Sequence, residues 1–209
     1  MSVDAPGTEL IDFTPMYATH NAFRRDLARL REAADTGRMD TPGVRAGWAN
    51  FKHQLDVHHS VEDAVLWPRL LDAVADRPDD LALIAEMEAE HARLDPLLAV
   101  VDEALAHRSS TLGEHVRELA EVLDDHMHHE EDTALPLIQR VLKPSDWAAF
   151  RSAMARRQGP SGAAVYIPWI LDDVTPEERQ AFLAAMPRPI GLLNRIVFQP
   201  RYRRKLQWR

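Results

Sequence analysis

The run His58-His59-Ser60-Val61-Glu62-Asp63-Ala64-Val65-Leu66-Trp67-Pro68 returns roughly 70 residues later as His126-Met127-His128-His129-Glu130-Glu131-Asp132-Thr133-Ala134-Leu135-Pro136, with His, Glu and Pro in register. Residues four apart in an α-helix are separated by about 400°, so the His and Glu of each copy lean to one face. A segment carrying one lone His at apolar spacing precedes each copy: His20 lies 38 residues before His58, and His91 lies 35 before His126. The chain therefore reads as two helix pairs, each bringing one lone His and one His-x-x-x-Glu to a shared seam.

The apolar rhythm around these residues predicts the fold. Met16, His20, Phe23, Leu27 and Leu30 follow the start signal Thr14-Pro15 and run to about Gly37. Trp48, Phe51, Leu55, His58, Glu62 and Val65 follow Thr41-Pro42 until Trp67-Pro68 disturbs the helix. From about Asp80 a third stripe sets Ile84, Met87, His91, Leu94, Leu98, Val101 and Leu105 in line, with Pro96 predicting a kink. A fourth opens on the capping box Thr111-x-x-Glu114 and carries Val116, Leu119, Leu123, His126, Glu130, Thr133 and Leu137. Strand signals are almost absent. The expected class is all-α: an antiparallel up-down four-helix bundle over residues 1–144, with residues 145–209 a C-terminal extension of short helices packed on it. In that extension Ser145 is expected to cap a helix running to about Arg157, and Gln158-Gly159-Pro160-Ser161-Gly162 to break it. The apolar stretch Ala163 to Leu171 follows. The capping box Thr175-Pro176-Glu177-Glu178 opens a helix that stops before Met186-Pro187, and Ile190 to Phe198 forms one more before the basic end Arg201 to Arg209.

Composition narrows the chemistry. The 209 residues include 10 His and no Cys, and 45% are hydrophobic. Without Cys there is no disulfide, thiolate zinc site or iron–sulfur cluster, so any metal is held by nitrogen and oxygen. Charge is uneven: residues 1–144 carry 14 Lys+Arg against 28 Asp+Glu, whereas residues 145–209 carry 11 against 5. An acidic body argues against nucleic acid and anionic membrane as partners, because phosphate contacts need Lys and Arg. No apolar run approaches a membrane span, and Met1 to Leu10 lacks the basic and apolar regions of a signal peptide, so a soluble cytoplasmic protein is expected.

His20, His58, Glu62, His91, His126 and Glu130 occupy stripe positions that otherwise hold Leu, Phe, Val or Met. They point inward. Burying one carboxylate without a partner costs several kcal/mol, and two facing each other cost more, so a cation between them is implied. A lone zinc takes about four ligands, whereas six nitrogen and oxygen donors fit two metals with the glutamates placed to bridge. Imidazole and carboxylate without thiolate suit iron, with Mn or Zn as alternatives. His59 and Glu88 are candidates for a seventh ligand. His129 aligns with Val61 in the repeat and is expected to flank the site, while His53, His107, His115 and His128 fall off the seams. Tyr166 and Trp169 are read as packing aromatics, with covering the site as the alternative.

His20, His58-His59-x-x-Glu62-Asp63 with Pro68, His91, and His126-x-x-x-Glu130 with Pro136 together resemble the hemerythrin-like (HHE cation-binding) family over residues 14–142. The resemblance implies a non-haem diiron centre bridged by two carboxylates and often an oxo or hydroxo group. It also implies reaction with or binding of dioxygen, peroxide or nitric oxide, or sensing of iron and oxygen. Two positions depart from the oxygen carriers of that family. Met87 stands where a carrier has His, four residues before His91, and the fourth helix offers Glu130 four after His126, or Glu131 five after it, in place of a carrier's Asp. Fewer protein ligands leave coordination positions open, which favours a diiron oxidoreductase acting on a small oxidant over a carrier. An oxygen or iron sensor without turnover is the alternative. The sequence names no electron donor, protein partner or oligomeric state.

Overall fold

The computed structural model describes residues 10–204 and 208. The readings of Met1 to Glu9 and of Lys205, Leu206, Gln207 and Arg209 at the basic end lie outside the described residues. The chain runs α1 (Thr14–Asp35), α2 (Pro42–Val61), α3 (Trp67–Ala73), α4 (Pro78–Ala106), α5 (Leu112–His129), α6 (Leu135–Val141), α7 (Pro144–Ile170), α8 (Pro176–Ala184), α9 (Pro189–Leu193) and α10 (Gln199–Arg204). No strand occurs among the described residues, and no helix is long and apolar enough to cross a membrane. Short connections between α1 and α2 and between α4 and α5 join helices that pack on each other, which makes them antiparallel neighbours; α5 also packs along α1.

The disturbance expected at Trp67-Pro68 is a widened turn rather than a stop. Glu62–Leu66 is π-helical, with Trp67 N–H donating to the Glu62 carbonyl, and α3 continues beyond it. The second copy does the same at Glu130–Ala134, where Leu135 N–H donates to the Glu130 carbonyl. A third π turn, Asn194–Phe198, precedes Gln199-Pro200. In all three the turn begins six residues before a proline. Proline offers no N–H and its ring crowds the carbonyl four residues back, so the ladder loosens there. The Glu of each motif is thus the first residue of a π turn.

The helix starts differ in how they are capped. Thr41 accepts from Val44 N–H, and Thr175 and Glu178 form the expected reciprocal box. Thr14 lies inside α1, and its own N–H is held by Asp12 Oδ1 at 2.9 Å. Thr111 makes no cap: its hydroxyl is taken by Ser109 Oγ at 2.8 Å and His115 Nε2 at 3.1 Å. Ser145 does not cap α7 either, since Lys143 N–H bonds Asp146 Oδ2. Gly159, at φ 64°, puts the expected break inside α7, but the apolar stretch after it resumes as helix and is buried through Ile167, Trp169 and Ile170.

Two apolar clusters fill the interior. One gathers Phe23, Leu27, Phe51, Leu55, Leu94, Leu123 and Trp169. The other gathers Leu66, Trp67, Ile84, Met87, Leu137 and Trp147. Along α1, α2, α4 and α5 the seam His lies where the residues of one cluster give way to those of the other. The fold therefore sandwiches a layer of ionisable groups between two dry regions.

Candidate metal centre

All six seam residues converge in this layer, and Glu62, Glu130 and His20 are fully buried. His20 Nε2 stands 3.2 Å from His58 Nε2 and 3.2 Å from Glu130 Oε2. His91 Nε2 stands 3.1 Å from His126 Nε2. Glu62 lies between: Oε1 is 3.2 Å from His58 Nε2, and Oε2 is 3.7 Å from His91 Nε2. Among the described residues, none of the four carboxylate oxygens of Glu62 and Glu130 has a hydrogen-bond partner. Buried oxygens left this way carry a large desolvation cost. Two donors about 2.1 Å from one cation and at right angles stand about 3.0 Å apart, close to the observed contacts. The donor set and its spacing fit a cation.

His59 joins the cluster. Half-buried, its ring stacks on His91 with centroids 4.0 Å apart, and it groups with His91 and His126, and with His58 and Glu62, within 4.8 Å. It brings a fifth imidazole to the layer. Of the two residues expected as candidates for a further ligand, His59 is the one brought to the cluster, while Met87, four residues before His91, has its side chain wholly buried in the second apolar cluster. Glu88 does not face the site. One residue beyond Met87 is about 100° around the helix, and Glu88 is exposed.

A ring of carboxylates holds the outer edges of the imidazoles. His20 Nδ1 meets Glu131 Oε1 at 2.7 Å, His91 Nδ1 meets Asp63 Oδ1 at 2.8 Å, and His126 Nδ1 meets Glu90 Oε2 at 2.8 Å. Such bonds place the proton on Nδ1 and turn the Nε2 lone pair inward. Glu131 is gripped by Arg24 through two nitrogens at 2.8 and 3.1 Å, and Arg24 is itself held by Asp124 at 2.8 Å. Glu131 is thus an orienting partner of His20, and Glu130 is the carboxylate in the centre. His129 flanks the site as expected, on Glu90 Oε1 at 2.9 Å. His53, His107 and His128 are exposed and His115 is half-buried, all outside the cluster. Sequence reasoning passed over Glu90 and Arg24; their only signal was the spacing of Glu90 one residue before a seam His.

Electrostatics divide the layer. Burial, then the neighbouring imidazoles, push His58 and His59 well below the usual histidine range, which keeps them neutral donors. Burial, then Glu130, pushes Glu62 well up. Glu130 is itself held down: burial raises it, but His20 beside it outweighs that. Burial would lower His20, yet Glu130 and Glu131 hold it above the ordinary value. Burial would likewise raise Glu131, but the bonds from His20 and Arg24 bring it to about 2.

The extension reaches the site. Tyr166 OH lies 2.7 Å from Thr19 Oγ1, next to His20, and Trp169 packs on Phe23, which in turn touches His58. Trp169 Nε1 donates to the buried Asp26 at 2.7 Å. The model of the hemerythrin HHE cation binding domain matches residues 13–138. No curated protein and no solved structure gives a match.

Proposed function

The chain belongs to the hemerythrin HHE cation-binding domain family, and from that membership and the donor geometry we propose a non-haem diiron protein that reacts with a small oxidant such as peroxide, dioxygen or nitric oxide. The observation that carries two ions rather than one is Glu62, whose two oxygens face different imidazole groups, His58 on one side and His91 on the other. His20, His58 and Glu130 would hold one ion, and His59, His91 and His126 the other, with Glu62 reaching both. Nitrogen and oxygen donors without thiolate suit iron, with manganese or zinc as competitors. Bound iron would supply Lewis acidity and electrons to the oxidant. The chain's own groups do the rest. Glu131, Asp63 and Glu90 fix the imidazole tautomers, Arg24 anchors Glu131, and the apolar clusters on either side keep water from the layer.

Elemental analysis of protein grown with iron, joined to its absorption spectrum after reduction and exposure to air, tests this. Two irons per chain are expected; one or none overturns the dinuclear reading. Stopped-flow mixing with peroxide should then show turnover. A second reading, an oxygen or iron sensor, draws on α7, which contributes Tyr166 to the wall of the cavity that His58 also lines, so a change at the centre has a path into the extension. Stoichiometric binding without turnover would favour it.

A further inference from the structure

The two helix pairs differ at one place that the metal centre does not use. In the second pair Glu90, one residue before His91, holds His126 Nδ1. The matching residue of the first pair is Thr19, one before His20. Its hydroxyl is 2.8 Å from the Pro15 carbonyl and 2.7 Å from Tyr166 OH. His58 Nδ1, the counterpart of His126 Nδ1, is buried with no partner among the described residues.

Beside His58 lies a cavity of about 460 Å³ between α1, α7 and the α8–α9 connection, within the range of small-molecule sites. Met16, Phe150, Ile167, Met186 and Ile190 give it an apolar body. Its polar side chains include His58, Thr19, Tyr166, Ser152, Gln158 and Arg151, and Arg151, the charged residue among those lining it, gives one nitrogen to the Ala185 carbonyl. Thr19 has one hydroxyl proton, which goes to Pro15, so Tyr166 donates to Thr19 and keeps none for a ligand. His58 lines the cavity and turns Nε2 to His20 and Glu62, so Nδ1 is the ring nitrogen that the centre does not take. A ring whose Nε2 lone pair serves a cation carries its proton on Nδ1; this one step rests on the metal-centre reading. What remains is one imidazole donor and the rest of the Arg151 guanidinium, both on the wall of an apolar hole.

We infer that this cavity binds an organic carboxylate with an apolar body, its carboxylate accepting from His58 Nδ1–H and pairing with Arg151, in the place that Glu90 fills in the other helix pair. The extension would then complete a ligand site that the bundle alone lacks.

Calorimetric titration of the full chain with octanoate and with 1-octanol, the iron content measured on the same samples, tests it. Octanoate should saturate one site, and octanol should bind at least about tenfold more weakly. Arg151→Met should erase that preference, and Ala163→Trp, which fills the cavity from its wall, should abolish binding of both; circular dichroism melts confirm that the variants are folded. No saturable octanoate binding overturns the inference. So does binding that Ala163→Trp leaves unchanged, which would point to the exposed Leu192, Leu193 and Ile196 instead. Lost octanoate binding with full iron sinks the cavity alone, whereas octanoate binding with no iron sinks the diiron reading alone.

Discussion

The two copies of the His-x-x-x-Glu motif share a backbone and differ in what surrounds it. Both Glu residues open a π turn before a proline. In both, the next residue crosses the bundle to the lone His of the other pair: Asp63 to His91, and Glu131 to His20. There the likeness ends. Glu131 is clamped by Arg24 and mostly buried, while Asp63 is 47% exposed with no Lys or Arg on it among the described residues. The first copy carries His59 where the second carries Met127, a residue buried in the apolar cluster. Duplication thus explains the scaffold, and the substitutions on it explain which side of the layer is rigid and which is open.

The largest effect is expected at the two central carboxylates. Glu62→Ala and Glu130→Ala each remove a fully buried carboxylate from the middle of the imidazole layer, and breaking such a buried arrangement costs about 3–5 kcal/mol. Glu62 faces both imidazole groups and Glu130 stands against His20. Glu62→Ala should therefore lose more iron than Glu130→Ala, read by elemental analysis and thermal melting. Equal losses would break the claim that the carboxylates have unequal roles, and unchanged iron in both would overturn the bridging assignment.

The orienting carboxylates come next. Glu131 is held at about 2, below its unfolded value of about 4.3. Its contribution is full above the unfolded value and is lost as pH falls from there toward 2. Glu131→Gln should cost about 1–2 kcal/mol at pH 7 after allowance for partial exposure, and progressively less in acid. Asp63→Asn, at the matching but exposed position, should cost under about 1 kcal/mol. Urea unfolding at pH 7 and pH 3 measures both, and a Glu131→Gln deficit that persists undiminished in acid would show that the Arg24 clamp acts through packing rather than charge.

His59 is a sharper probe of the asymmetry. His59→Met makes the first copy like the second. If His59 donates to the same ion as His91 and His126, iron retention against a competing chelator should fall about tenfold, with the fold intact. Unchanged retention would return His59 to the role of a stacking neighbour.

Much of this is legible in the spacing of the sequence. The stripe positions of His20, His58, Glu62, His91, His126 and Glu130 follow from a period of 3.6, and a shared seam is where such a period must put them. What spacing along one helix could not reach was the contact between helices. Glu90 and Arg24 act across the bundle on His126 and Glu131, and their own stripes give no sign of it. His59 sits one residue from the seam, about 100° round, where only the ring's reach toward His91 brings it in. Spacing predicts a disturbance at Trp67-Pro68 and a break at Gln158–Gly162, yet the first follows a π turn and the second is the Gly159 kink within α7, because tertiary packing keeps the flanking residues helical.

The smallest effect tests whether the copies also differ at their helix starts. Thr41 opens α2 with an extended backbone, ψ 145°, and accepts from Val44 N–H at 3.3 Å. Thr111 opens α5 with ψ −1°, which turns its hydroxyl away from the first-turn amides and toward Ser109 and His115. A capping bond lost with nothing to replace it costs about 1 kcal/mol. Thr41→Ala should therefore lower stability by about that much, while Thr111→Ala, which removes exposed side-chain contacts only, should stay within about 0.5 kcal/mol. Denaturant midpoints at equal slope measure both. Equal costs would mean that Thr111 caps α5 in solution, and that the two motif-bearing helices begin alike as well as end alike.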